Sequence, residues 1–330
     1  MYKHDDDMRQ EMLAIQFVET CDRILKASGL DLKLKTYGCL SVGNQKGFIE
    51  WVTGTVSLSE ICKPLGSAFT DSGDSRRWIP SSTSEDTDAL KKPTHGLSNN
   101  SNSSEAFIRK GDWCRYESLR SLRQNTNFIN EQGIGLIGNN PVQDFLRSNS
   151  YDTDQPYLIK KETMNNYVKS CAGYCVITYL LGVGDRHTDN LLLHQTGHFF
   201  HCDYSFILGQ DPKTYLPMRI TKDMVDGMGG HDSDNFALFL SLAGASFVAL
   251  RQRTSVRILM SLVRNMANAH IPDISIRQSP ENALSSMLQR FRLDLNDDEA
   301  VTFIEDNIER SITSKIWIAV DAIHSLGKKF

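Results

Sequence analysis

An asparagine and an aspartate bracket a short hairpin in this 330-residue chain, at Asn190 and Asp203. Two apolar runs, Leu191-Leu192-Leu193-His194 and His198-Phe199-Phe200-His201-Cys202, flank Gln195-Thr196-Gly197. Read as a two-residue turn, Thr196-Gly197 sets Asn190 opposite Asp203. Their Cβ atoms are then expected roughly 5 Å apart. An amide oxygen and a carboxylate that close can share one Mg²⁺, which takes oxygen ligands near ~2.1 Å. A divalent ion held by an Asn and an Asp is how kinases neutralise a phosphate in transfer. Just upstream, Asp185-Arg186-His187 supplies an acid and an imidazole. A histidine with an ordinary pKa of about 6.5 is mostly neutral near neutral pH, which suits a general base. The plainer alternatives are a hairpin with two polar ends and a structural imidazole in a loop.

Something must hold these residues in place, and the periodicity indicates what. Asp6 to Ser28 reads as a helix with Leu13, Phe17, Cys21, Ile24 and Leu25 on one face and Gly29 ending it. Leu30 to Val52 alternates with a break at residues 43–47, predicting a strand pair whose second strand is Phe48 to Val52. Glu162 to Leu181 becomes apolar all round, as a core helix does. Further helices are predicted over Asp234 to Asn268 and Ser279 to Phe291. Asn296 with Glu299 caps another that reaches about Leu326. The stretch from about Ser67 to Asn140 is rich in Ser and Asn and predicts a largely disordered insertion. The chain thus divides into three regions, 1–66, 67–140 and 141–330.

The composition is that of an ordinary globular chain, 40% hydrophobic and 23% charged. A net charge of −4 argues against a nucleic-acid partner. Seven scattered cysteines, with no CxxC pair, fit a reducing compartment. The longest apolar run, Cys171 to Val183, is shorter than the about 20 residues that span a bilayer.

Several separated stretches, in order, resemble the catalytic domain of phosphatidylinositol 3-kinases, most closely the class III, vacuolar-sorting type. They are Lys3 to Glu11, Tyr167 to Cys175, Gly184 to Asn190, Ile207 to Lys213 and Phe291 to Leu295. The resemblance implies an α+β, bilobal protein-kinase-like fold, with a truncated N-lobe sheet in residues 1–66 and a mostly helical C-lobe from 141. It implies ATP as co-substrate, Mg²⁺ or Mn²⁺ as cofactor, and transfer to the 3-hydroxyl of phosphatidylinositol. Lys3 would meet the ATP phosphates with Glu11 near it, and Tyr37 would line the back of the pocket. Ile49, Glu50, Trp51 and Val52 would form the adenine hinge, over a floor of Leu192 and Cys202. Asp185 and His187 would be catalytic, and Asn190 and Asp203 would hold the metal. Lys213 and Arg219 would face the lipid headgroup from the activation loop that begins at Tyr204. The implied setting is cytoplasmic, peripheral on endosomal, vacuolar or autophagic membranes. The implied partners are a regulatory kinase-like subunit and a coiled-coil adaptor.

Two other readings remain. A protein kinase of the same superfamily has its loop in the order His-Arg-Asp, whereas this chain has Asp185-Arg186-His187. An inactive, truncated scaffold is the second. Ser205 stands where the family has a glycine, and Glu11 where it has an aspartate. Because the chain opens at the lysine strand, the Leu13-Phe17-Ile24 face of the first helix is expected to be partly uncovered. The last helix, with Trp317 and the terminal Lys328-Lys329-Phe330, suits either core packing or a membrane interface.

Overall fold

The computed structural model describes residues 1–4, 6–43, 45–63, 140–211 and 217–315. Strand β1 (Tyr2–His4) pairs antiparallel with β3 (Lys46–Ile49), and β3 with β2 (Cys39–Gly43). Between β1 and β2 runs α1 (Met8–Ala27). Asp7 starts it, its carboxylate accepting the Arg9 N–H at 3.1 Å. Gly29 ends it at φ +80°, where the Leu30 N–H donates to the Leu25 carbonyl at 2.9 Å.

Leu30 to Gly38 forms no strand. Leu32 and Leu34 lie instead against Gly173, where a Cβ would meet the Leu34 side chain at 2.6 Å. The chain follows a helix surface there rather than a partner strand. Residues 50–52 also leave the sheet after Ile49.

The second sheet is β4 (Thr55–Ser57), β5 (Leu191–His194) and β6 (Phe199–His201), antiparallel in that order. The short α2 (Leu58–Ile61) comes directly after β4. Then come α3 (Pro141–Asn149), α4 (Lys161–Leu181), α5 (Lys222–Gly227), α6 (Asp234–Leu250), α7 (Arg253–Asn265), α8 (Pro280–Arg290) and α9 (Asp297–Ile312). Helix α4 is the centre of the core. Almost every residue from Tyr167 to Leu181 is buried, against β6, α6 and α8. Tyr179, Phe247 and Phe303 tie α4, α6 and α9 together with ring centroids 5.9 to 6.3 Å apart.

Three expectations change. The single helix predicted over 234–268 is broken at Arg251 and Gln252. Arg251 is buried there, donating to the Arg292 and Asn296 carbonyls at 2.8 and 3.1 Å and to Asp297 at 2.7 Å. Helix α9 has its capping box at Asn296 and Glu299 but stops at Ile312, capped by Thr313. The Leu13-Phe17 face of α1 is covered, because α1 packs between the first sheet and helices α6 and α7. The open apolar surface is the other side of the sheet, where Tyr2, Phe48 and Leu40 are neighbours in register and exposed. The predicted insertion of residues 67–140, apart from Asn140, lies outside the described residues, as do Lys213 and the terminus with Trp317 and Lys328 to Phe330.

The β5–β6 loop has three residues, Gln195 to Gly197, not two. The His194 N–H donates to the His198 carbonyl at 2.9 Å, and Leu192 faces Phe200. Gly197 takes φ +87° to close the loop. Asn190 therefore faces Cys202, whose N–H donates to the Asn190 carbonyl at 3.1 Å, and Asp203 lies one residue further on. A Cβ on Gly197 would stand 2.1 Å from the Thr163 carbonyl oxygen. Gly197→Ala is expected to cost at least about 2 kcal/mol, from left-handed backbone plus overpacking. Urea unfolding checks this, and a midpoint equal to the parent's would contradict the loop geometry.

Candidate active site

Six of the predicted nucleotide residues come together as the walls of one cleft: Tyr37, Glu50, Trp51, Val52, Leu192 and Cys202. Glu50 is fixed from both ends. Its N–H donates to the Gly38 carbonyl at 2.7 Å, and its carboxylate accepts the Gly38 N–H at 2.6 Å. Trp51 is 43% exposed, at the mouth. Ile49 does not line the cleft; it is buried behind it, exchanging backbone hydrogen bonds with Met1 at 2.8 and 2.6 Å.

Thr55 and Phe200 complete the walls, and the motifs point to neither. Phe200 was recoverable, since it lies two residues before Cys202 on a strand and so shares its face. Thr55 was not, because β4 is too short to announce itself.

Beyond the cleft floor lies a group of charges. Lys3 sits in β1 opposite Gly47, with Nζ 3.2 Å from Asp6 Oδ2. Burial opposes its charge, but Asp203, Glu11 and Asp6 outweigh burial and hold the ammonium above the usual lysine value. Glu11 is buried in α1. Burial pushes its carboxyl up and Lys3 pulls it back, while Asp203 adds to the rise. Tyr37 Oη donates to Glu11 Oε1, and the Tyr204 N–H to Oε2 at 2.8 Å. Lys3, Glu11 and Asp203 therefore form one electrostatic unit, contributed by β1, α1 and the residue after Cys202.

The loop from Gly184 to Asn190 is held to the same segment by Arg186, a buried residue. Its Nε donates to the Gly184 carbonyl at 2.7 Å, Nη1 to the Cys202 carbonyl at 2.9 Å, and Nη2 to the Asp203 carbonyl. The guanidinium lies 5.7 Å from the centre of the Tyr204 ring. The Asp185 N–H donates to Asp211 Oδ2 at 2.8 Å. Asp185 and Asp203 both adopt left-handed backbone, φ +50° and +60°, which Asp tolerates better than most residues. His187 is 8% exposed and stands between two acids. Its Nε2 is 4.0 Å from Asp185 Oδ2, and its Nδ1 is 3.6 Å from Asp189 Oδ2. Ser59 Oγ on α2 donates to the other Asp189 oxygen.

The donor set suits a hard cation. Asn190 Nδ2 donates to the Asp185 carbonyl at 2.9 Å, which leaves Oδ1 as the ligand atom. Asp203 Oδ1 accepts the Ser205 hydroxyl at 2.5 Å. Ser205 is not among the residues at positive φ, so the serine fits this backbone. Among the described residues no three His, Cys, Asp or Glu side chains form a metal-binding group by themselves. An ion here needs further oxygens from water or phosphate, as Mg²⁺ in nucleotide sites does. Arg219, predicted at the headgroup, is only 4% exposed, between buried Met218 and Ile220.

The sequence pattern of the family described as "Phosphatidylinositol 3- and 4-kinase" matches residues 1–276. Among curated proteins, the chain is 33% identical to the phosphatidylinositol 3-kinase VPS34 of Candida albicans, over 99% of this chain and 30% of that protein. It is 33% identical to the phosphatidylinositol 3-kinase pik3 of Schizosaccharomyces pombe, over 99% of this chain and 32% of that one. It is 31% identical to the VPS34 enzyme of Arabidopsis thaliana, over 98% and 30%. The chain thus spans about a third of the length of these relatives.

One neighbour of Arg186 gives a stability test. His201 is buried, stacked on Tyr174 with ring centroids 5.4 Å apart. Burial, and then the Arg186 charge, hold its imidazole well below the ordinary 6.5. As pH falls below about 6.5 the unfolded chain takes up this proton before the folded one does, so stability is lost with falling pH. His201→Phe is expected to reduce the drop in urea midpoint between about pH 7 and pH 5. An identical drop in parent and variant would contradict the buried neutral ring.

Proposed function

We propose a lipid kinase: the chain belongs to the phosphatidylinositol 3- and 4-kinase family, and the intact protein transfers the γ-phosphate of ATP to the 3-hydroxyl of phosphatidylinositol. The observation that carries this reading is the Arg186 clamp. It ties the loop bearing Asp185, His187 and Asn190 to Asp203, next to the cleft-lining Cys202. That the relatives are phosphatidylinositol 3-kinases supports the lipid and the ring position.

In this reading residues 1–66 are the N-lobe part and 141–330 the C-lobe. Glu50, Trp51 and Val52 meet the adenine edge, with Ile49 packed behind them. Tyr37, Leu192, Phe200 and Cys202 give the ring an apolar slot. Lys3 meets the phosphates, kept charged by Glu11 and Asp203. Asn190 Oδ1 and the Asp203 carboxylate hold Mg²⁺ or Mn²⁺. The bound ion supplies charge neutralisation for the phosphate in transfer. His187 takes the proton of the attacking hydroxyl, and Asp185 and Asp189 place negative charge on both sides of the ring that receives it. No helix among the described residues is long and apolar enough to cross a membrane. The reading therefore takes the substrate from a membrane surface, in the endosomal, vacuolar or autophagic setting. A regulatory kinase-like subunit and a coiled-coil adaptor complete it.

The intact protein with Mg·ATP is expected to phosphorylate phosphatidylinositol faster than its bisphosphate, since each extra phosphate calls for a further Arg or Lys and Arg219 is buried. Asp203→Ala is expected to lower turnover at least about 10²-fold, with the circular-dichroism spectrum unchanged. Faster turnover of the bisphosphate would overturn the substrate assignment. Near-parent turnover by Asp203→Ala would overturn the site.

A further inference from the structure

Asp273 is one of the buried charged residues that the reaction leaves unused. Asp273 lies in a single π-turn, Pro272–Ile276, and is 0% exposed. Its Oδ2 accepts the Ile207 N–H at 2.6 Å and Gln10 Nε2 at 3.0 Å. Its Oδ1 accepts Arg277 Nη1 at 2.6 Å. Its own N–H donates to Gln10 Oε1 at 3.0 Å, so both ends of the Gln10 amide are held.

Gln10 and Arg277 both return to the same four residues, 204 to 207. Gln10 Nε2 also donates to the Tyr204 carbonyl at 2.9 Å, and Glu11, the next residue of α1, accepts the Tyr204 N–H. Arg277 donates to the Ser205 carbonyl at 2.9 Å and lies 4.8 Å from the centre of the Phe206 ring. Tyr204 to Ile207 begins immediately after Asp203, and the left-handed backbone of Asp203 depends on where Tyr204 and Ser205 are held. Three groups therefore grip that segment, chiefly through backbone atoms: Gln10 with Glu11, Asp273, and Arg277.

We propose that Asp273 is a positioning residue: it locks Gln10 to the Ile207 N–H, so that α1 and segment 204–207 move as one body and Asp203 keeps its place relative to Glu11 and Lys3. The inference rests on the reading of Asp203 as a metal ligand. A carboxylate is required because three donors converge on its two oxygens. An amide at the same position turns one acceptor into a donor that faces either Ile207 N–H or Arg277. A purely structural Asp273 would hold the fold without changing how the nucleotide and its metal bind.

The test uses the intact protein with two variants, Asp273→Asn and Gln10→Ala, read by residue-resolved hydrogen exchange and by Mn·ATP binding in electron paramagnetic resonance. Asp273→Asn is expected to speed exchange of the Tyr204 and Ile207 amides at least about 10-fold with α4 unchanged. Mn·ATP is expected to bind roughly 10-fold more weakly, and the KM for ATP to rise in parallel while the KM for lipid stays. Gln10→Ala removes the bond to the Tyr204 carbonyl; it is expected to speed exchange of the Tyr204 amide less than Asp273→Asn does, because Glu11 still accepts that N–H, and to leave Ile207 protected by Asp273, with a similar loss of Mn·ATP affinity. If Asp273→Asn also loosens α4, Gln10→Ala decides by the same criteria. Unchanged exchange at 204 and 207, or faster exchange with parent-like Mn·ATP affinity, would overturn the proposal. Failure of the parent to bind Mn·ATP would sink the reading of the site instead, and the exchange pattern would still decide whether Asp273 holds the segment.

Discussion

One buried guanidinium sets the geometry on which the site depends. Arg186 answers carbonyls from both stretches that carry the chemistry: Gly184 on one side, Cys202 and Asp203 on the other. A guanidinium presents five donors in a rigid fork. It can therefore fix two irregular segments that no ladder of strand hydrogen bonds could join. It helps to maintain the left-handed residues Asp185 and Asp203, each of which costs on the order of 1 kcal/mol or more. Burial keeps the imidazole of the neighbouring His201 neutral, and the Arg186 charge adds to that.

Around that clamp the molecule separates two kinds of environment. The cleft above is walled by aromatic and aliphatic side chains, suited to a flat apolar ring. On the other side Lys3, Glu11 and Asp203 form a group of charges, suited to phosphates and a hard cation. The peptide from Cys202 to Asp203 is the border between them. Burial strengthens the charges on the lower side, because each interaction acts in a less polarisable medium than water. Helix α4, with β6 packed on it, is the rigid floor that keeps the border fixed.

Much of this was legible in the residues, and the failures are physical ones. Helix α4 was visible because a helix buried on all sides has no polar stripe. The α9 start was visible because Asn296 and Glu299 cap it through local bonds. The hairpin was recognisable, but its register was not. Thr196-Gly197 suggests a two-residue turn, but the His194 N–H donates to the His198 carbonyl, which puts Gln195 in the loop. The helix break at Arg251 is written in carbonyls of residues 291–296, about forty positions away. The same holds for Arg186 and Asp273. The partners of Arg186 are mainly backbone carbonyls, which every residue possesses, and those of Asp273 include a backbone N–H and a Gln10 amide 263 positions away, so no residue type marks either contact in advance.

The central claim is that Asn190 and Asp203, drawn together by the Arg186 clamp, hold the divalent ion that meets the nucleotide phosphates. Crystals of the intact protein grown with Mn²⁺ and a non-hydrolysable ATP analogue test it most directly, through the anomalous signal of manganese. The account predicts a peak within coordination distance of both Asn190 Oδ1 and the Asp203 carboxylate, with the adenine between Val52 and Leu192. A peak ligated by neither residue, or a nucleotide seated outside the cleft, would contradict it.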